Sequence, residues 1–262
     1  MDYIEFLGTG GTRTPVQGTT CLRVSPRCVI DAGNLINAFG DEIFTIEHIF
    51  LTHSHLDHII DIPFLADLFV TRKSTSLKIY GLQATLDDLR QCIFNHRIWP
   101  NFEEIQLIGH SEQTIQLIEI QPEERYDIDG ITLIPFKTDH TDGSCGYLIE
   151  KGGGGILFTA DTYRCSRIWE LLDTKPHIHS LVIEVSFPSS FEKLAHDSKH
   201  LTPALLESEL ACCGRNDFSV YVMHLKVLFA ATITHELAMG NLLKNGGAIL
   251  ADHDRIAFVK QG

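Results

Sequence analysis

Four residues with metal-binding side chains lie within six positions, His53, His55, Asp57 and His58, in the heptapeptide THSHLDH at 52–58. The heptapeptide directly follows an apolar run, His48–Leu51, that reads as a strand. In extended chain, residues two apart point the same way, so His53 and His55 can grip one ion. A helix starting near Ile59 would swing Asp57 and His58 towards a second ion. Imidazole and carboxylate donors without thiolate suit zinc or a similar divalent metal, and a chance cluster of surface histidines explains the spacing poorly. Three more ligand-type residues follow strand-like runs: His140 after Thr132–Phe136, Asp161 at the end of Ile156–Thr159, and His224 after Ser219–Met223. Each is a polar side chain presented at a rim by a buried strand, where layered α/β folds put their chemistry. Any one of them alone reads as an ordinary rim residue.

The elements that must position these residues follow from hydrophobic patterning. Strands are expected at Tyr3–Leu7, Thr20–Val24, Cys28–Asp31, His48–Leu51, Leu77–Tyr80, Thr132–Phe136, Cys145–Ile149, Ile156–Thr159, Leu181–Val185, Ser219–Met223 and Ala248–Asp252. Helices are expected near Ile60–Arg72, Leu82–Phe94, Arg164–Leu172, Pro203–Cys212 and Thr232–Leu243. Gly152 to Gly155, between two apolar runs, reads as a hairpin turn. Gly8-Thr9-Gly10-Gly11 has no helix after it, so it reads as a tight turn beside the metals and not as a phosphate loop. Strands and helices in both halves predict an α/β fold. Its form is a four-layer αββα sandwich, two mixed β-sheets with outer helices, built as one domain over residues 1–262.

Composition narrows the function. Hydrophobic residues at 44% and charged residues at 21% exclude disorder, collagen and coiled coil. A formal charge of −13 repels phosphate backbones, so no large nucleic-acid partner is expected. No apolar run approaches the ~18 residues of a membrane helix, and the acidic start MDYIEFLG is not a signal peptide, so no membrane association is expected. Seven cysteines without a CxxC suit reduced thiols in the cytoplasm.

The succession His-x-His-x-Asp-His, His140, Asp161, His224 resembles the metallo-β-lactamase superfamily of binuclear hydrolases. Within it the chain is most similar to the class II 3′,5′-cyclic-nucleotide phosphodiesterases. The segments that carry this likeness are THSHLDHI at 52–59, IYGL at 79–82, IFN and IWP at 93–95 and 98–100, EVSF at 184–187, HLTP at 200–203 and HLK at 224–226. Two residues depart from the pattern. Asp61 stands where the family usually has Gly or Ser, close enough to the metal loop to reshape the pocket, and Val227 replaces the usual Pro.

The resemblance implies two divalent ions, most readily zinc, with manganese or iron as alternatives. His53, His55 and His140 would hold the first. Asp57, His58 and His224 would hold the second, Asp161 would bridge, and Asp57 would also count among the catalytic residues. Ions about 3.5–4 Å apart would activate water against phosphorus and clamp the phosphate. The implied reaction hydrolyses cyclic AMP or cyclic GMP, a small-molecule partner, to the 5′-nucleotide. The alternative is a tRNA 3′-processing-like endonuclease or another phosphodiesterase of the superfamily. That alternative requires a basic arm, yet residues 71–138 carry seven Lys/Arg against ten Asp/Glu, 7 − 10 = −3.

The ribose 3′-oxygen leaves poorly without a proton. Glu184, at a strand end, could hold the His200 ring protonated so that His200 donates it. The competing reading is a surface ion pair or a contact at the Thr202-Pro203 helix start. Substrate contacts are expected from Trp99, with Phe94, as a stacking face, from Asn95 as an amide and from Lys226 as a phosphate partner. A homodimer is expected from the family likeness. His177 and His179 form a second His-x-His without a third ligand, and His96, His110, His196, His235 and His253 are isolated.

Overall fold

The computed structural model describes residues 1–259. Thirteen strands among these residues form two sheets. The first is built from β1 (Tyr3–Gly8), β2 (Cys21–Arg23), β3 (Cys28–Ile30), β4 (His48–Phe50), β5 (Leu77–Gly81), β6 (Ile115–Glu119) and β13 (Arg255–Ala257), in the order β13-β1-β2-β3-β4-β5-β6. The second is built from β7 (Tyr126–Ile128), β8 (Ile131–Lys137), β9 (Cys145–Lys151), β10 (Gly154–Phe158), β11 (Ile178–Glu184) and β12 (Ser219–Met223), in the order β12-β11-β10-β9-β8-β7. Both are mixed: β3 to β6 run parallel, as do β10 to β12, while β1, β2, β8 and β9 pair antiparallel.

Alternation along the strands explains the layers. In β8, Leu133 turns inward to meet Phe6, Phe50 and Tyr147 of the inter-sheet core, while Ile134 and Phe136 turn outward to helices carrying Ile168, Trp169 and Leu205. The outer face of the first sheet packs Ile49 and Ile79 against Leu65, Phe69 and Leu86. Each fully buried Phe or Leu contributes roughly 1.5–3 kcal/mol, so three apolar layers give a rigid frame. This is the αββα sandwich expected from the sequence. Gly152 and Gly153, at φ 59° and 87°, form the two-residue turn between β9 and β10.

Several boundaries differ from the patterning. The chain turns helical at Leu56, ahead of Ile59, and a second helix spans Ile62–Phe69. The helix after β5 runs Gln83–Asp88 and ends in a π-helical turn, Leu89–Ile93. The last helix is Ala230–Met239. Ala248–Asp252 is not a strand: Ile249 makes one isolated bridge to Val222, and Asp252 uses its carboxylate as a clamp. Asp252 Oδ1 accepts from the Thr9 amide and Oδ2 from the Gly18 amide, which ties down the loop between them. All seven cysteines are free thiols. Three of them, Cys21, Cys28 and Cys145, lie in the core, where burial pushes the Cys145 thiol up to about 12.

Candidate metal centre

β4 ends at Phe50, and a short loop that bends at Thr52 and is extended at His55 leads into the helix at Leu56. That change of conformation sends His53 and His55 one way and Asp57 and His58 another. β10 delivers Asp161 and β12 delivers His224, so the second sheet faces the motif presented by the first. Three residues at these strand ends have left-handed backbone, Asp31 (φ 59°), Ala160 (φ 52°) and His224 (φ 65°), so the turns are strained where they aim the side chains.

Two clusters share Asp161. His53, His55, His140 and Asp161 form one; Asp57, His58, Asp161 and His224 form the other, and Glu184, His200 and His224 make a third group of converging donors. Within each cluster the donor atoms lie within 4.8 Å of one another. Asp161 Oδ2 belongs to both, 3.8 Å from His53 Nε2 and His140 Nε2, 3.5 Å from His58 Nε2 and 3.4 Å from His224 Nε2. His55 Nδ1 lies 3.0 Å from His140 Nε2, and His224 Nε2 lies 3.2 Å from Asp57 Oδ2. Donors at about 2.0–2.1 Å around a tetrahedral zinc stand about 3.3 Å apart, and these spacings bracket that value.

The residues fit a cation on a second ground. His53 Nε2 and His58 Nε2 are buried and have no hydrogen-bond partner among the described residues. An unpaired buried polar atom costs about 1–3 kcal/mol, and two converging on one carboxylate indicate a missing positive ligand. The opposite ring nitrogens are engaged. His140 Nδ1–H donates to the Lys199 carbonyl (3.0 Å), His58 Nδ1–H to Asp31 Oδ2 (2.7 Å), and His53 Nδ1 lies 3.1 Å from Thr52 Oγ1. Bonds of this kind orient the rings and leave the facing nitrogens as lone pairs.

The electrostatics agree. Burial holds the His53 imidazole well below its ordinary range and lowers His55 and His140, so all three are neutral at pH 7. Burial pushes Asp161 up, but charge on His224 and His58 outweighs it and leaves Asp161 well below the carboxylate range. Burial likewise pushes His58 down, yet the Asp161 and Asp31 carboxylates raise it well above its ordinary value.

Glu184 and His200 meet beside the clusters. His200 Nδ1–H donates to Glu184 Oε1 at 2.6 Å, and the same oxygen accepts the Thr162 amide at 3.3 Å. The His200 ring lies 4.8 Å from the His140 ring and 5.5 Å from that of His224. Burial lowers the His200 imidazole, but the Glu184 charge prevails and its pKa is raised. The pair is buried, so it is not a surface ion pair, and Thr202 itself caps the following helix through Leu205 N–H.

The remaining sequence candidates fall differently. Trp99 packs on Phe64, with ring centroids 5.5 Å apart, and lines an apolar cavity of about 280 Å³ with Leu56, Ile59 and Ile98. Phe94 is core, packed on Phe102, so it offers no stacking face. Asn95 engages its amide in its own loop, donating to the Gln91 carbonyl and accepting from Arg97 and Ile98 N–H. Lys226 Nζ donates to the Gly11 carbonyl (2.8 Å), and its charge reaches His200. The Gly11 turn lies against the centre as expected: a Cβ there would fall 2.4 Å from the His224 carbonyl oxygen. Asp61 is buried, with Oδ2 accepting the Ile36 amide at the start of the Leu35–Phe39 helix and Oδ1 3.9 Å from Arg13 Nη1. Val227 is exposed at the start of a short 3₁₀ turn. His177 pairs with Glu150, and His179 lies against Ser180 Oγ, so the second His-x-His forms no cluster.

Two residues escaped the sequence reading. Asp31 is fully buried and accepts from Thr52 N, Thr52 Oγ1 and His58 Nδ1. Its signal was present, an Asp ending an apolar strand just as Asp161 does. Ser186 bonds Glu184 and His224, and nothing in its uncharged side chain singles it out.

Residues 28–224 match the beta-lactamase superfamily domain. A probable 3′,5′-cyclic-nucleotide phosphodiesterase of Yersinia pestis is 27% identical over 186 residues, 63% of this chain and 50% of that protein. A Ribonuclease Z of Picrophilus torridus is 25% identical over 164 residues, 56% of this chain and 47% of that protein. The chain therefore spans about half the length of these curated relatives. Unliganded yeast PDE1 superposes with a TM-score of 0.80 at 20% identity, covering 99% of this chain and 100% of that one, a likeness of fold. With residues 28–224 matched by the family model, the chain belongs to the beta-lactamase superfamily, and its fold is that of the metallo-β-lactamase fold proteins.

Proposed function

We propose that this protein is a two-metal phosphodiesterase that hydrolyses a 3′,5′-cyclic nucleotide to the 5′-nucleotide. The observation that carries the reading is the buried Glu184–His200 bond of 2.6 Å beside two clusters that share Asp161. Thioesters, whose thiolate leaves readily, need no such acid. A phosphodiester with an alkoxide leaving group does. When bound, two divalent ions, with zinc the first choice, neutralise phosphate charge and activate the attacking water. His53, His55 and His140 would hold one ion, and Asp57, His58 and His224 the other, with Asp161 shared.

The chain's own residues do the rest. Glu184 Oε1 accepts the Nδ1–H of His200 and favours a second proton on Nε2, which His200 gives to the departing ribose 3′-oxygen. Lys226, steadied by Gly11, keeps a positive charge beside the phosphate. The base lies along the apolar wall of Leu56, Phe64 and Trp99, which adjoins the metal loop because Leu56 sits between His55 and Asp57. Asn95 shapes the loop that presents Trp99.

A small substrate is favoured over tRNA by the charge of −13 and by the chain between Arg72 and Lys137, which supplies β5 to β8 and no basic arm among the described residues. The free thiols support a reducing, cytoplasmic setting, and no helix of the described residues is long and apolar enough to cross a membrane. The test is a hydrolysis screen of zinc-loaded protein with cyclic AMP, cyclic GMP, a 2′,3′-cyclic nucleotide, bis(p-nitrophenyl) phosphate and a precursor tRNA, with and without chelator. Chelator-sensitive turnover of a 3′,5′-cyclic nucleotide is expected. Cleavage of the tRNA alone would overturn the proposal.

A further inference from the structure

Ser186 lies fully buried just past β11, and its hydroxyl touches both the Glu184–His200 pair and a candidate metal-binding ring. Oγ stands 3.0 Å from Glu184 Oε2, 3.0 Å from His224 Nδ1, 3.2 Å from His200 Nδ1 and 3.2 Å from the His224 carbonyl oxygen. A hydroxyl has one proton to donate and two lone pairs to accept with, so these neighbours must be sorted. The Nδ1–H of His200 already goes to Glu184 Oε1 at the shorter 2.6 Å. His224 Nε2 faces Asp57 Oδ2 and Asp161 Oδ2, and a ring that ligates there needs its proton on Nδ1. The acceptor for that proton is Ser186 Oγ, and the hydroxyl proton then goes to Glu184 Oε2. One hydroxyl thereby ties Glu184 Oε2 to the His224 ring, while Glu184 Oε1 holds His200.

We infer that Ser186 is a positioning residue: it locks His224 in the tautomer that can ligate through Nε2 and, with the same hydroxyl, turns the Glu184 carboxylate towards His200. The inference rests on the two-ion reading above. Without the hydroxyl, the buried Nδ1–H has no acceptor of comparable quality. The ring then favours its proton on Nε2, where it donates to Asp57 and cannot bind a cation. Loss of such an outer partner typically lowers metal affinity about 10–100-fold. The cluster of His53, His55 and His140 has no contact with Ser186 and serves as an internal control.

The experiment is a competition titration of Zn²⁺ against a chromophoric chelator, on wild-type protein, Ser186→Ala and Ser186→Thr, with folding checked by circular dichroism. Two ions are expected in the wild type. In Ser186→Ala one ion should keep its affinity within about 2-fold while the other weakens about 10–100-fold, and the hydroxyl of Ser186→Thr should restore it. Unchanged affinity for both ions in Ser186→Ala, equal weakening of both, or a folded Ser186→Thr as weak as the alanine variant overturns the inference alone. A wild-type chain that binds at most one ion overturns the two-ion reading and this inference with it.

Discussion

Replacing His200 with alanine isolates the proton donor from the metal clusters. His200 belongs to neither cluster that shares Asp161, so both ions should remain. The variant removes the imidazole that Glu184 holds at 2.6 Å, and with it the proton supply to the leaving oxygen. Loss of a general acid costs about 10²-fold or more in turnover, at least about 2.7 kcal/mol of barrier. That loss must depend on the leaving group. The ribose 3′-alkoxide needs the proton; nitrophenolate departs without it. Turnover of cyclic AMP should therefore fall about 10²-fold or more, while bis(p-nitrophenyl) phosphate should lose less than about 5-fold. Stability needs control, since Glu184 is left with the Thr162 amide and the Ser186 hydroxyl, and a buried uncompensated charge costs about 3–5 kcal/mol. Kinetics well below the melting temperature, metal content in parallel, and a His200→Gln variant that still offers Glu184 an N–H separate the two effects. Equal losses on both substrates, or unchanged turnover of the cyclic nucleotide, would refute the acid role.

Other expectations concern the walls and the ligands. Trp99→Ala should raise KM for the cyclic nucleotide about 5–10-fold, a loss of about 1–1.4 kcal/mol of stacking, and leave bis(p-nitrophenyl) phosphate unaffected in steady-state assays. Asp61→Ser should keep kcat and KM within about 2-fold in the same assays, since its carboxylate serves the Ile36 amide; thermal melts should show at most about 1 kcal/mol lost. The pKa values of His53, His55 and His140 are lowered by burial, so protons compete with metal only below the ordinary imidazole range of about 6.5. Dialysis from pH 7.5 downwards, followed by elemental analysis, should accordingly show that cluster retaining metal until below about pH 6, and release near pH 7 would contradict the argument.

The centre was legible in the sequence because its residues interrupt apolar strands. A histidine or aspartate at the end of a run such as Ile156–Thr159 or Ser219–Met223 stands out from patterning alone, and β-sheet order then brings those ends together. Asp31 has the same signature and went unread because no second ligand accompanies it. Ser186 carries no charge and makes its contribution only through atoms contributed by β11, β12 and the His200 loop. Edge strands were harder. β6, with Gln116 and Glu119, and β13, with Arg255, turn polar side chains to water, so their apolar content falls below what patterning detects. Ala248–Asp252 misled in the other direction: Ile249 and Leu250 are apolar enough for a strand, but the segment makes a single bridge before turning to clamp Thr9. Asp61 drew attention by its nearness in sequence to the ligands, and only the folded chain shows that its carboxylate serves the Ile36 amide.

The most direct test counts the ions. Elemental analysis of wild-type protein and of Asp161→Ala, with cyclic-nucleotide turnover measured on the same samples, should give close to two divalent ions per chain in the wild type. The variant should hold one at most and show no turnover. A wild-type chain carrying fewer than two, or an Asp161→Ala protein that still hydrolyses the substrate, would contradict the shared carboxylate at the heart of the account.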